Sequence, residues 1–146
     1  MRTLWLLLLA FLPFTASAQY NVDRLIMSGR VAVYYEDYVL GIQYFIQALS
    51  LKPYLYEPWQ LRAIAKFNLD DFAGAEFDAS KAIELNPYIP LLYDLRGISR
   101  IRQENYKGAI ADYEHAIRLE PTNQNFWYNR AVCRMEMKDY ERAQLE

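Results

Sequence analysis

The chain has 146 residues, 53% of them hydrophobic, with 16 Lys and Arg against 18 Asp and Glu for a net charge of -2. That length suits one compact domain rather than a catalytic domain plus a second one, and the lack of basic surplus argues against a nucleic-acid partner. A single His (His115) and a single Cys (Cys133) cannot build a His/Cys metal cage, a disulfide framework or a CxxC pair, so no metal, no cofactor and no catalytic residue is expected.

The chain opens with Arg2, an apolar run from Leu4 to Leu12, then Pro13 and Ala16-Ser17-Ala18. Charged, apolar and small residues in that order describe a secretory signal, with cleavage expected after Ala18. The apolar run is well short of the roughly 20 residues that cross a bilayer as a helix. Residues 1–18 are therefore read as a signal peptide and 19–146 as the folded domain, in the periplasm or secreted, with no stable membrane insertion after cleavage.

From residue 22 onward the sequence repeats itself every 34 residues. Pro53, Pro87 and Pro121 keep that step, as do Ala48, Ala82 and Ala116, and Leu51, Leu85 and Leu119. An aromatic ladder runs through Tyr38, Phe72, Tyr106 and Tyr140, and small-residue ladders through Gly41, Ala75, Ala109, Ala143 and through Gly29, Ala63, Gly97, Ala131. A fixed period of this size is the mark of a stacked repeat. Units fall at about 22–55, 56–89 and 90–123, with a partial unit at 124–146.

Each unit reads as two short amphipathic helices. First helices are expected at about 23–35, 57–69, 91–103 and 125–137, second helices at about 38–51, 72–85 and 106–119 and from 140 onward. Asp37, Asp71, Asn105 and Asp139 precede the second helices as N-caps, and the prolines stop them. Gly and Ala at the small-residue steps let helices approach closely.

The strings Trp59-x-x-Arg62-Ala63, Ala75-x-x-x-Ala79-x-x-Ala82 and Pro87, then Tyr93-x-x-Arg96-Gly97, Ala109-x-x-x-Tyr113-x-x-Ala116 and Pro121, resemble successive tetratricopeptide repeats. With the signal, the whole looks like an exported repeat protein of bacterial type. The resemblance implies an all-α, right-handed superhelix of stacked antiparallel helix pairs, about 3.5 units long. Residues 22–53 diverge most, as a terminal unit does.

Arg62, Arg96 and Arg130 each lie 16 residues before an acid: Asp78, Asp112 and Glu146. The first unit has Ser28 and Tyr44 at those places, so both charges are lost together. This predicts structural ion pairs between first and second helix, because buried charges need partners.

By the resemblance, the inner face of the superhelix is lined by first helices and holds a protein or peptide. Its candidate residues are Ile26, Arg30 and Tyr34, then Gln60, Ile64, Phe67 and Asn68, then Asp94, Ile98 and Arg102, and finally Tyr128 and Val132. Ile64, Ile98 and Val132 would form an apolar stripe, although periodicity does not separate groove from inter-helix core. The Lys and Asn pattern with which some members hold acidic chaperone tails is absent from this set. His115 reads as a solvated helix residue, Cys133 as a small inert core residue, and Asp70-Asp71 as a turn with an N-cap.

The expected function is a non-enzymatic scaffold or adaptor outside the cytoplasm. The alternative is a recognition segment of a longer exported enzyme or receptor whose active domain lies beyond residue 146. The last apolar face has no capping helix, which also leaves self-association through the C-terminal end open.

Overall fold

The computed structural model describes residues 21–143, with side chains up to residue 138. The expected signal and its cleavage site, and Glu146, lie outside these residues. Among the described residues there are seven helices and no strand: α1 (21–34), α2 (Tyr38–Leu51), α3 (Tyr56–Asn68), α4 (Phe72–Leu85), α5 (Pro90–Arg102), α6 (Tyr106–Leu119) and α7 (Gln124–Ala143). From α2 to α7 each helix packs on the next in sequence, α1 meets α2 through Gly29 and Phe45, and α3 also touches α5. The result is an all-α superhelix of about three and a half helix-pair units.

The repetition reaches down to individual backbone bonds. At the turn inside each unit, Glu36, Asp70 and Glu104 adopt φ of 61°, 60° and 61°. Their N–H groups donate to Val33, Phe67 and Ile101, while the next N–H groups, of Asp37, Asp71 and Asn105, donate to Ala32, Lys66 and Arg100. This double closure absorbs carbonyls that the first helix would otherwise leave unpaired. The same Asp37, Asp71 and Asn105 then turn their side chains onto the N–H groups of Leu40, Gly74 and Gly108 at 3.1, 2.9 and 3.0 Å, capping the second helix.

Between units, the second helices end at Leu51, Leu85 and Leu119, two residues before each proline. There Trp59 and Trp127 donate their indole N–H to the carbonyls of Pro53 and Pro121 at 2.9 Å, and the Tyr93 hydroxyl donates to Pro87 at 3.0 Å. One aromatic per unit thus ties the turn to the helix that follows.

The fourth unit departs from the expected pattern. Asp139 was expected to cap a second helix starting at Tyr140; instead α7 runs without a break from Gln124 to Ala143. Lys138 stands where Glu36, Asp70 and Glu104 take the left-handed conformation, which costs a residue other than glycine about 1 kcal/mol or more. Residues 135–143 contain no Gly or Pro and are rich in Met, Glu, Lys and Arg, which extend a helix at little cost.

The seam between the helices of a unit is where small and large residues trade places. In the third unit Gly97 faces Tyr113, and a Cβ at Gly97 would lie 3.1 Å from the tyrosine ring. In the first, Phe45 occupies the space over Gly29 that any Cβ would need. The second unit meets with Ala63 and Ala79, both fully buried. The ladder alanines at 48, 82 and 116 are likewise fully buried.

Candidate functional site

The first helices α3 and α5 touch each other, and the expected groove residues of the first helices fall in three groups by exposure. Tyr34 and Tyr128 are 80% and 70% exposed, and Arg30, Asn68 and Arg102 are also exposed. Gln60, Phe67, Asp94 and Val132 are half-buried. Ile26 is buried with Val22 and Ala48, and the edge it leaves open lines a pocket with Met27, Arg30 and Glu57. Ile64 and Ile98 are half-buried and pack against the cluster of Ala63, Ala79 and Leu95, so most of the expected stripe is shared with the inter-helix core.

Several of these side chains are already engaged. Arg30 of α1 forms an ion pair with Glu57 of α3. Arg102 lies with its guanidinium 4.5 Å from the Phe72 ring centre, and Phe67 meets Phe72 edge-on at 5.3 Å. Asn68 donates to the Ile64 carbonyl of its own helix at 2.8 Å.

The expected arginine–carboxylate pairs are joined within the second and third units. Arg62 grips Asp78 through Nε and Nη2 at 2.8 and 2.7 Å, and Asp78 is fully buried. Arg96 reaches Asp112 with Nη2 at 2.6 Å and Nε at 3.1 Å. These arginines span the seam between helices and are not presented to a ligand. Arg130 lies 4.7 Å over the Trp127 ring, and its expected partner Glu146 is outside the described residues.

Each buried carboxylate also receives a second cation that pair spacing alone did not reveal. Lys66 Nζ meets Asp78 at 2.9 Å, and Arg100 Nη1 meets Asp112 at 2.9 Å while its Nε holds Glu76 at 2.8 Å. The signal was in the sequence: Lys66, Arg100 and Arg134 are 34 apart, each one turn after the paired arginine, and the first unit has Ala32 there. Two cations per acid compensate desolvation better than one.

A different polar group sits where α5, α6 and α7 meet. Asp94 of α5 accepts a long hydrogen bond, 3.5 Å, from the Asn129 amide of α7. The Tyr113 ring is fully buried beneath α5, and its hydroxyl faces both groups without reaching hydrogen-bond geometry with either. Burial raises the Asp94 pKa above the usual carboxylate range, opposed by the neighbouring Tyr113 hydroxyl and Asn129 amide. Burial, and then the adjacent Asp94 charge, push the Tyr113 phenol upward as well. Sequence reading placed Asp94 on the groove but missed Tyr113 and Asn129. The available signal was a tyrosine at a seam position where the other units have Phe45 and Ala79.

Cys133 is fully buried in the cluster around Tyr113 and Phe126, and burial pushes its thiol up to about 11, which keeps it protonated at neutral pH. His115 is exposed, its ring stacked on Tyr93 at 5.1 Å. Among the described residues no cluster of His, Cys, Asp or Glu could hold a metal ion, and no helix is long and apolar enough to cross a membrane.

The tetratricopeptide-repeat family model matches residues 100–146. No curated protein sequence matches the chain. Among solved structures, the tetratricopeptide domain of Arabidopsis OM64 is 25% identical with a TM-score of 0.77, covering 81% of this chain and 98% of that one. The first such domain of Spaghetti (RPAP3), bound to the HSP90 peptide SRMEEVD, is 26% identical with a TM-score of 0.79, covering 82% and 94%. The UNC-45 chaperone, described as binding and folding muscle myosin, is 25% identical with a TM-score of 0.76 over 84% of this chain and 14% of its own length.

Proposed function

We propose, from the premise that this chain is built from tetratricopeptide repeats, that it is a non-enzymatic scaffold holding a protein or peptide against its first helices. The observation that carries this reading is a division of labour among the side chains of the first helices. The buried acids Asp78 and Asp112 take up Arg62, Lys66, Arg96 and Arg100 of α3 and α5, whereas Tyr34, Asn68 and Tyr128 stand exposed on α1, α3 and α7. Exposed aromatics on a rigid surface are common anchors for a partner. A similar domain, that of Spaghetti (RPAP3), holds a peptide, which supports the same use here.

Location belongs to the same proposal. The order Arg2, apolar Leu4 to Leu12 and Ala16-Ser17-Ala18 supports export to the periplasm or cell exterior. N-terminal sequencing of the protein recovered outside the cytoplasm should begin at Gln19; retention in the cytoplasm with Met1 intact would refute it. The alternative, that this is the recognition segment of a longer exported enzyme or receptor, draws support from UNC-45, where the matched part is 14% of the chain.

The groove is tested on exposed residues. Ile64 and Ile98 touch the core, so charging them would unfold as well as block. Tyr34→Ala together with Tyr128→Ala should weaken binding of capped Tyr- and Leu-rich octapeptides by roughly tenfold or more at unchanged melting temperature. Unaltered binding would move the site to another face.

A further inference from the structure

Asp94 is set apart from the other inward acids by what neutralises it. Asp78 is held by Arg62 and Lys66, Asp112 by Arg96 and Arg100, Glu57 by Arg30 and Glu76 by Arg100. Asp94 is half-buried, has neutral Asn129 and Tyr113 beside it, and forms no ion pair among the described residues. The repeat itself does not demand an acid there: Ile26, Gln60 and Tyr128 occupy the same place in the other first helices. Nor does packing demand the Tyr113 hydroxyl, since Phe45 fills the equivalent space in the first unit. A fully buried phenol with an unsatisfied oxygen, aimed at a half-buried carboxylate that lacks a cation, costs stability with no structural return. Arrangements that cost stability in this way are concentrated at functional positions.

We propose that Asp94, flanked by Asn129 and backed by Tyr113, is a subsite for a positively charged Lys or Arg side chain of the bound peptide. The inference rests on the groove reading above and adds the chemistry of the partner. An incoming ammonium or guanidinium supplies the counter-charge that the protein withholds, and the carboxylate is open to it on the solvent side. Once Asp94 is held ionised, the Tyr113 hydroxyl donates to it from below, so Tyr113 is a positioning residue. Tyr128, exposed at the matching place on α7, offers a surface for the apolar stem of such a side chain. The preference is opposite in sign to that for an acidic peptide such as the one bound to Spaghetti (RPAP3).

The test uses the full chain and three capped octapeptides rich in Leu and Tyr, identical except for a central Lys, norleucine or Glu. Binding is followed by fluorescence anisotropy. The Lys peptide should bind roughly ten- to hundredfold more tightly than the norleucine one, the scale of a hydrogen bond to a charged group. Asp94→Asn should erase that ratio, leave norleucine binding unchanged, and melt at or above the wild-type temperature.

Tyr113→Phe should melt at or above the wild-type temperature and move the pH midpoint of the Lys preference upward, because the hydroxyl that favours the charged carboxylate is gone. Tyr113 and, behind it, Cys133 stay neutral through that range, and the exposed Glu136 carboxylate lies beyond Cys133. Equal binding of Lys and norleucine peptides, a ratio that survives Asp94→Asn, or a preference for Glu would overturn the subsite. In each of those cases, loss of norleucine binding in the Tyr34→Ala, Tyr128→Ala protein would leave the groove reading standing. If none of the three peptides binds, both readings fail.

Discussion

The first and third units close the same seam with different chemistry. In the first, Gly29 receives the Phe45 ring, and Ser28 and Tyr44 take the places where the third has Arg96 and Asp112. In the third, Gly97 receives Tyr113 and the seam is also bridged by Arg96, Arg100 and Asp112. Their outer surfaces differ too. Val31 is 50% exposed beside a pocket of about 400 Å³ that Met27, Tyr35, Leu40 and Tyr44 also line. The corresponding Ser99 is fully buried, as are Ala65 and Cys133. An inner position must be small and its charges matched, whereas an end position is released from both constraints.

Substitutions can separate an apolar closure from an ionic one. The largest loss should follow Asp112→Ala, about 3–5 kcal/mol, because two cations are left facing each other in a partly buried seam. Urea denaturation measures it, and the double variant Arg96→Met, Asp112→Leu should lose less than the sum of the two single changes. Additive losses would mean that the pair acts as two independent charges. Phe45→Ala should cost the first unit a comparable 3–5 kcal/mol, with no second substitution on the charged residues able to restore it.

Gly97 probes the close approach itself. Gly97→Leu should destabilise by about 1–3 kcal/mol through overlap with Tyr113. In Gly97→Ala the gain in helix propensity, about 1 kcal/mol, offsets much of the crowding at 3.1 Å. Equal melting temperatures for the two would argue against the contact. Smaller still, Asn105→Ala should remove about 1 kcal/mol by uncapping α6. The exposed Arg134–Glu114 pair marks the bottom of the scale, and thermal melts of Glu114→Ala should shift by less than the equivalent of about 1 kcal/mol.

Legibility followed the period. The three second helices begin at Tyr38, Phe72 and Tyr106 and end at Leu51, Leu85 and Leu119, as the ladders imply, because cap, aromatic and proline recur together. Arg62–Asp78 and Arg96–Asp112 could be read because both partners vanish together from the first unit. The continuous α7 could not, since its outcome turns on whether one residue, Lys138, takes on backbone strain, and a ladder of residue types does not encode that balance. Ile26 escaped for a related reason: the same ladder position is buried at Ile26, half-buried at Gln60 and Asp94, and exposed at Tyr128. Asp94 was visible as a groove residue, but its isolation from cations is a property of three helices meeting, which no single stretch of chain reveals.

The indole tethers carry one more consequence. Trp59 sits half-buried in an inner unit, edge-on to Phe77, while Trp127 is 46% exposed on α7, yet both bind a proline carbonyl in the same way. Once residues 1–18, which hold Trp5, are removed, the chain carries a matched pair of optical reporters, one in the middle of the stack and one near its end. Linear arrays of this kind melt inward from their ends, as coupled neighbours predict. With Trp59→Phe the emission near Trp127 should change at a lower urea concentration than in the converse Trp127→Phe protein, so fraying would be read directly as a gap between two midpoints.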